Sequence, residues 1–317
     1  MKALILAGGM GTRLRPLTLS TPKPLVPLLD RPLVMHIINA LPREVDTVVL
    51  AVSYMKDELE RYFREHDCRR QVVLVYEEEP LGTGGAIRNV RHLLDGTFIC
   101  FNGDIVSSID LSSFLSFHRS KGGIGTLALW RVPDPSPFGV VGLRDDRIID
   151  FQEKPAPDQA LSGIINAGTY VFEPELLDHI GEGVVSLERT VFPHILERGL
   201  YGYIFEGHWV DCGTPESYLR AQSVLIEQRP LVNPSLSDRV ELTGRNFIDR
   251  ATLIGCRIGP HVCAMPGSAV GEGSTLVCST LMQGAQVGRD CRVRDSIIGP
   301  GARVSDGAAV VGQVLVG

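Results

Sequence analysis

At 317 residues and 44% apolar side chains, the chain is long enough for one large domain plus a smaller one, each with a core of its own. Its 31 basic residues fall short of its 37 acidic ones, which leaves no cationic surplus for a nucleic-acid polymer and only local cations for a small phosphorylated ligand. Seven cysteines, an odd number with no Cys-x-x-Cys pair, read as reduced thiols of a cytoplasmic protein, while the expectation from Met1-Lys2 leading straight into an apolar strand is no signal peptide, and no run approaches the ~18 apolar residues of a membrane span.

Taken in order, Ala3-Leu4-Ile5-Leu6-Ala7 has the composition of a buried strand and stops at Gly8-Gly9-Met10-Gly11-Thr12, where the chain must turn. Glycines at the carboxyl end of a strand let successive backbone amides approach an anion, so phosphate is the expected guest. Arg13 and Arg15 follow, and Lys23 stands between Pro22 and Pro24, whose fixed φ aims its ammonium. The stretch is not a Walker A loop, because no Gly-Lys-Ser/Thr closes it. Nor is it a dinucleotide fingerprint, because Leu14 stands where the third glycine belongs.

Leu33, Val34, Ile37, Ile38 and Leu41 then mark a helical face, Val45 to Val52 a buried strand, Leu59, Tyr62 and Phe63 a second helix, and Val72 to Tyr76 a third strand. This succession predicts a mostly parallel sheet covered by helices, with ligands outside the carboxyl ends of the strands. The segments after the strands carry the candidate site. Glu77-Glu78-Glu79-Pro80-Leu81-Gly82-Thr83-Gly84-Gly85 enters a helix with apolar face Ala86, Ile87, Val90, Leu93 and Leu94. Its glycines would let a flat base lie on the backbone, and Thr83 either caps the helix or reaches the ligand. The strand Phe98 to Phe101 ends at Asn102-Gly103-Asp104, a hard-oxygen ligand suited to Mg²⁺ on nucleotide phosphates. Gly139, in Pro137-Phe138-Gly139-Val140-Val141, can meet a sugar hydroxyl, Glu153-Lys154 sets an acid beside a base, and Asn166 offers a carboxamide at the start of another strand. Leu187 to Leu196 reads as packing, with Pro193 kinking the helix or beginning a new turn. Asp211 precedes a helix whose first turn holds Pro215.

Gly8-Gly9-x-Gly11-Thr12-Arg13-Leu14 followed by Pro22-Lys23-Pro24 resembles the signature of the sugar-1-phosphate nucleotidyltransferases, the nucleotide-sugar pyrophosphorylases, and the later motifs point to their mannose-1-phosphate guanylyltransferase members. The resemblance implies a Rossmann-like α/β domain with a mixed sheet that transfers a nucleoside monophosphate to a sugar 1-phosphate. It places the nucleotide on Leu6, Ala7, Gly8, Gly9, Gly11, Thr12 and Arg13 and on the base loop of Glu77, Pro80, Gly82 and Thr83. It gives Arg13 and Lys23 the catalytic cations, Gly139, Glu153, Lys154 and Asn166 the sugar phosphate, and Asp104 with Asp211 a Mg²⁺ ion, since two carboxylates brought together call for a cation. GTP is favoured as donor, because a carboxylate at Glu77 can accept from both N1–H and the 2-amino group of guanine; strand alternation leaves Glu78 or Glu79 as alternative inward acids. Glucose 1-phosphate with dTTP or UTP, and a heptose 1-phosphate with GTP, stay open as substrate pairs, as does a regulatory subunit that binds without turnover, against which Arg13, Lys23, Asp104, Lys154 and Asp211 all argue.

From Arg229 the texture changes. Pro230, Pro234 and Ser235 to Ser237 suggest a linker over 229–246 after a catalytic domain spanning 1–228. Beyond it, Ile258, Ala264, Val270, Leu276 and Met282 fall on a six-residue grid, Val287 and Val293 on a second, and Ile298, Val304 and Val310 on a third, with glycines between. This hexapeptide pattern predicts a parallel β-helix over 247–317, left-handed by the family resemblance, with apolar residues pointing into the coil and a role in homo-oligomer assembly. His261, the only histidine there, is too little for an acyltransferase.

Overall fold

The computed structural model describes residues 1–317 in two compact units. The first comprises Met1–Met10 and Val34–Trp209. It is built on nine strands: β1 (Lys2–Leu6), β2 (Thr47–Val52), β3 (Gln71–Tyr76), β4 (Phe98–Asn102), β5 (Gly125–Arg131), β6 (Gly139–Arg144), β7 (Arg147–Glu153), β8 (Ile164–Phe172) and β9 (Leu200–Ile204). They form one mixed sheet in the order β3-β2-β1-β4-β8-β5-β9-β7-β6. The β3-β2-β1-β4 half is parallel, as the βαβ alternation predicts; β8 then runs antiparallel to both β4 and β5. Strands β1, β2 and β4 are apolar almost throughout because both faces are covered.

The helices fall close to the periodic segments: α1 (Leu33–Ala40), α2 (Lys56–Glu65), α3 (Gly82–Asn89) and α4 (Leu111–Lys121). α3 begins before the predicted apolar face and ends within it, holding Ala86 and Ile87, with a 3₁₀ turn at Arg91–Leu93 carrying Leu93. Leu187–Val191 forms a π-helical turn, after which α5 (Phe192–Ile195) starts around Pro193, so the proline opens a new turn.

The second unit comprises Gly11–Leu33 and Val210–Gly317. Helix α6 (Pro215–Gln228) opens with a capping box of Thr214 and Ser217 and has Pro215 in its first turn. The rest is a three-faced parallel β-helix, consistent with the left-handed form, with faces of six, five and five short strands. Ile248, Ala264, Leu281 and Ile298 line one inner column, Leu253, Val270, Val287 and Val304 the second, and Ile258, Leu276, Val293 and Val310 the third.

Two sequence expectations change here. The segment 229–246 is no linker: Leu231–Asn233, Leu236–Asp238 and Glu241–Leu242 pair in register with the next coil and form the first turn of the β-helix. Its prolines stand at the corners before and between strands, where an amide is not needed. In the grid, Leu281 rather than Met282 occupies the inner column, because Ala264 pairs with Leu281 after 17 residues, one fewer than three six-residue steps, and the phase slips at the corner.

Candidate active site

The site begins where β1 ends. The Ala7 amide donates to Ala51 (2.8 Å) and the Gly103 amide to Leu6 (2.9 Å), so the turn carrying Asp104 rests on the strand end that leads into Gly8. A Cβ on Gly103 would stand 2.9 Å from the Leu6 carbonyl oxygen, so only glycine lets the two loops approach this closely. Gly9 has no neighbouring atom within 4 Å of where a Cβ would be, and Gly8 only ordinary contacts at 3.4 and 3.5 Å with Glu77 and Ser53. The strand end is therefore open toward a ligand at Gly9.

Glu77 lies beneath this turn. Its amide continues the β2–β3 ladder to Val52 (2.8 Å), and its side chain is buried while Glu78 and Glu79 are exposed, so Glu77 is the acid that turns inward. Oε2 accepts a long bond from the Leu81 amide at 3.4 Å; Oε1 is buried with no hydrogen-bond partner. Burial pushes the Glu77 carboxyl above the usual range, only partly offset by the Leu81 amide. A buried acceptor without a donor is costly in isolation and marks a place where a donor belongs.

The base loop packs closely against the protein's own chain. A Cβ on Gly82 would meet the Val185 carbonyl oxygen at 2.6 Å, one on Gly84 the Val185 side chain at 2.9 Å, and one on Gly85 the Gly183 carbonyl oxygen at 2.6 Å. Gly84 and Gly85 donate to the Val185 carbonyl, and Val185 donates to Leu81. These glycines admit the protein's own 183–185 segment on the side where a Cβ would stand. The Thr83 hydroxyl is engaged, donating to Glu188 (2.7 Å) and accepting from the Leu187 amide (2.9 Å), so it ties the loop to the 187–191 turn and does not cap α3.

On the sugar-phosphate side, Gly139 pairs directly with Glu153, and a Cβ there would stand 2.6 Å from the Phe151 ring and 3.0 Å from Glu153 Oε2. Burial, then repulsion from Glu188, raises the Glu153 carboxyl, with Lys154 (3.6 Å) and Arg189 opposing. Lys154 is exposed and takes a positive φ of 52°, its amide bonded to Phe138 (3.0 Å), so the chain turns sharply to present the ammonium. Asn166 uses its carboxamide internally: Nδ2 donates to the Tyr170 hydroxyl (2.9 Å) and Oδ1 accepts from the Gly168 amide (3.0 Å), across the irregularity in β8.

In the second unit, Gly11 has φ of 62°, and a Cβ there would meet Thr18 at 2.9 Å and the Lys23 Cβ at 3.2 Å. Thr18 donates to the Gly11 carbonyl (2.8 Å), closing the loop that carries Thr12, Arg13 and Lys23. Arg13 and Asp211 converge on Gly213, whose Cβ position lies 2.6 Å from an Arg13 guanidinium nitrogen and 2.9 Å from Asp211 Oδ1. The local cation and the carboxylate are thus held against one backbone turn at the entrance to α6.

Residues 2–228 match the Nucleotidyl transferase family, and residues 242–317 the GMPPB C-terminal domain. The chain belongs to the nucleotidyl transferase family. Mannose-1-phosphate guanylyltransferase 1 of Arabidopsis thaliana is 36% identical over 330 aligned residues covering 100% of this chain and 91% of the plant protein. The mannose-1-phosphate guanylyltransferase of Mycobacterium tuberculosis is 38% identical, over 97% of this chain and 82% of its own length. Among solved structures, HddC from Yersinia pseudotuberculosis complexed with GMP-PN superposes with a TM-score of 0.60 at 28% identity, covering 69% of this chain and 97% of that one. A UDP-glucose pyrophosphorylase complexed with UDP-glucose gives 0.64 at 22% identity, over 72% and 99%, a likeness of fold.

Two residues of this nucleotidyl transferase were missed in the sequence. Asn102 has a buried Oδ1 with no hydrogen-bond partner, beside Gly168, whose φ of 71° and absent Cβ make room for the carboxamide. Its position just before Gly103-Asp104 was the available signal. Glu188 accepts from Thr83 (2.7 Å) and Ser186 (2.8 Å) and raises Glu153, yet it sits in a segment whose apolar spacing reads as packing alone.

Proposed function

We propose that this nucleotidyl transferase joins GTP to mannose 1-phosphate, giving GDP-mannose and pyrophosphate. The observation that carries the choice of base is Glu77, a buried carboxylate with one oxygen lacking a donor, set under the open glycine turn. Guanine offers two adjacent donors, N1–H and the 2-amino group. Uracil and thymine offer one donor between acceptors, and adenine sets an acceptor beside its amino group. The family likeness to mannose-1-phosphate guanylyltransferases along the whole chain supports the same reading.

In the reaction proposed, a phosphate oxygen of mannose 1-phosphate attacks the α-phosphorus in line, the new P–O bond forms as the α–β bridging bond breaks, and pyrophosphate leaves with the electron pair. One anion attacks another, so positioning and charge neutralisation do the work and no protein nucleophile is required. Leu6, Ala7, Gly8, Gly9, Gly11 and Thr12 offer backbone to the triphosphate, Arg13 steadies the leaving phosphates, and Lys23 meets the α-phosphate. Gly139 and Glu153 receive sugar hydroxyls and Lys154 the incoming phosphate; Asn166 supports that face through Tyr170.

Members of the family generally use a divalent metal. Mg²⁺ is commonly held by one or two carboxylates together with substrate phosphates and water, the kind of hard-oxygen donor that two aspartates supply. Asp104 and Asp211 are the carboxylates proposed to hold it, and when bound it withdraws charge from the phosphate oxygens.

No helix is long and apolar enough to cross a membrane, and all seven cysteines are free, which supports a cytoplasmic setting. The open first coil leaves Val232 and Leu242 exposed in inner columns, which supports self-assembly through the β-helix.

Glu77→Gln tests the base assignment. It should narrow the kcat/KM advantage of GTP over dTTP and UTP by about 1–3 kcal/mol, the worth of one bidentate base-edge pair. Because guanine needs the ionised form and burial raises this carboxyl, kcat/KM for GTP should fall with decreasing pH sooner than an ordinary carboxylate would dictate, and the variant should lose that limb. Unchanged discrimination in a folded variant removes Glu77 from base recognition.

A further inference from the structure

The faces of the β-helix are not equivalent on the outside. On the second and third faces the outward residues are largely polar or partly exposed: Thr252, Ala269, Gln286 and Arg303 on one, Arg257, Thr275, Arg292 and Ala309 on the other. On the first face the outward column of Phe247, Cys263, Thr280 and Ile297 is buried, at 5% exposure or less. Strands apolar on both sides have something covering them.

The cover is α6 together with the glycine-signature segment of the same unit. Gln222, wholly buried in α6, donates from Nε2 to the carbonyls of His261 (3.0 Å) and Ser279 (3.3 Å), and its Oε1 accepts from the Thr280 hydroxyl. Thr280 lies beside the Tyr218 hydroxyl, one turn earlier on α6, which donates to the Pro27 carbonyl. Leu17 is buried with Cδ2 3.4 Å from where a Cβ on Gly299 would be. At the other end of the segment Asp30 bonds Arg229, at 2.9 Å. Burial would raise this carboxyl, yet Arg31 and Arg229 outweigh it and bring it down to about 2. Lys23 therefore lies between two anchors, Leu17 and Pro27, that reach the β-helix directly or through one tyrosine, and Asp211 stands at the head of the helix that carries Gln222.

We propose that the β-helix is a positioning element of the phosphate-binding segment, acting through Gln222 and Thr280, in addition to any role in assembly. The inference rests on the reading of Arg13 and Lys23 as triphosphate cations. Gln222 makes three polar bonds that no apolar residue replaces, and it is the wholly buried polar side chain joining α6 to the coil, where Glu227 at the exposed end of the helix also bonds His261 and Arg245. If it only held two bodies together, its loss would lower the fraction of folded enzyme and hence kcat alone. As a positioning residue, its loss loosens the segment carrying Arg13 and Lys23, and the nucleotide side suffers selectively, because Glu153, Lys154 and Asn166 belong to the other unit.

The test uses the full chain with Gln222→Met and Thr280→Val, singly and combined, and Ser274→Ala as a control whose hydroxyl bonds only within the β-helix. Steady-state constants for both substrates are measured alongside amide exchange of residues 12–26. Gln222→Met should raise the GTP KM about tenfold or more, leave the mannose 1-phosphate KM within about twofold, and speed exchange of 12–26. Thr280→Val should do the same to a smaller degree, and the double variant should fall short of the product of the two effects. Should Gln222→Met not fold, Thr280→Val carries the test alone. Unchanged GTP KM in a folded variant overturns the proposal, whether exchange is faster or not, as does a loss of kcat with both KM values intact. Should the wild type prefer another triphosphate or sugar phosphate, the substrate reading fails separately; the exchange result stands, and the kinetic arm is run with the pair the enzyme uses.

Discussion

Gly8-Gly9-Met10-Gly11 and Gly82-Thr83-Gly84-Gly85 look alike in the sequence, yet the structure uses them in opposite ways. At Gly9 the space a Cβ would take is empty, and at Gly8 it is merely in contact. At Gly82, Gly84 and Gly85 it is already filled, by Val185 and Gly183, and the Val185 carbonyl accepts from the first amides of α3. The first cluster leaves room for a substrate at Gly8 and Gly9, while its Gly11 packs against Thr18 and Lys23. The second leaves room for the protein, and it holds the base loop still so that Glu77, four residues before Leu81, keeps its place. What a glycine run is for depends on what stands opposite it, and that is a tertiary fact.

Substitutions in the two loops should have opposite consequences. The largest effect is expected on the open side at Asp104, whose turn rests on the strand end before Gly8. Asp104→Asn should lower Mg²⁺-dependent turnover by about two orders of magnitude or more with no change in melting temperature, and near-normal turnover would remove the metal assignment. A matched pair of alanine variants gives the next test. Gly85→Ala forces a Cβ to within 2.6 Å of the Gly183 carbonyl and should cost about 1–3 kcal/mol of stability in denaturant unfolding. Gly9→Ala, with nothing within 4 Å, should stay within about 0.5 kcal/mol of wild type in stability while raising the GTP KM. Equal stability losses in both variants would erase the distinction between the two loops.

Much of the architecture could be read from the residues. The parallel half of the sheet follows from apolar strands alternating with amphipathic helices, and the β-helix from its six-residue apolar rhythm. Where the reading slipped, the cause is physical. The first coil at 229–246 hides because its open end leaves Val232 and Leu242 uncovered among prolines and serines, so it has the composition of a linker. The 11–33 segment groups with the β-helix through contacts more than 190 residues apart in sequence, Pro27 with Tyr218 and Asp30 with Arg229, which no local pattern records. A signal for its docking was present all the same: Phe247-Ile248, Cys263-Ala264 and Ile297-Ile298 put apolar residues on both sides of one strand in three, and such strands are covered. In the candidate site, residue identity was readable and residue use was not. Asn166, expected to reach a ligand, and Thr83, expected to reach one or to cap the helix, bond Tyr170 and Glu188 within the protein, while Asn102, which no pattern singled out, holds a buried oxygen that lacks a donor, as does Glu77.

Guanine selection by Glu77 in a nucleotide-sugar-forming enzyme is the central claim, and pyrophosphate release by the wild-type chain tests it most directly. GTP, dTTP, UTP and ATP are each presented with mannose 1-phosphate, glucose 1-phosphate and a heptose 1-phosphate in Mg²⁺ buffer. The highest kcat/KM is expected for GTP with mannose 1-phosphate. A preference for dTTP or UTP with any of the three sugars would contradict it.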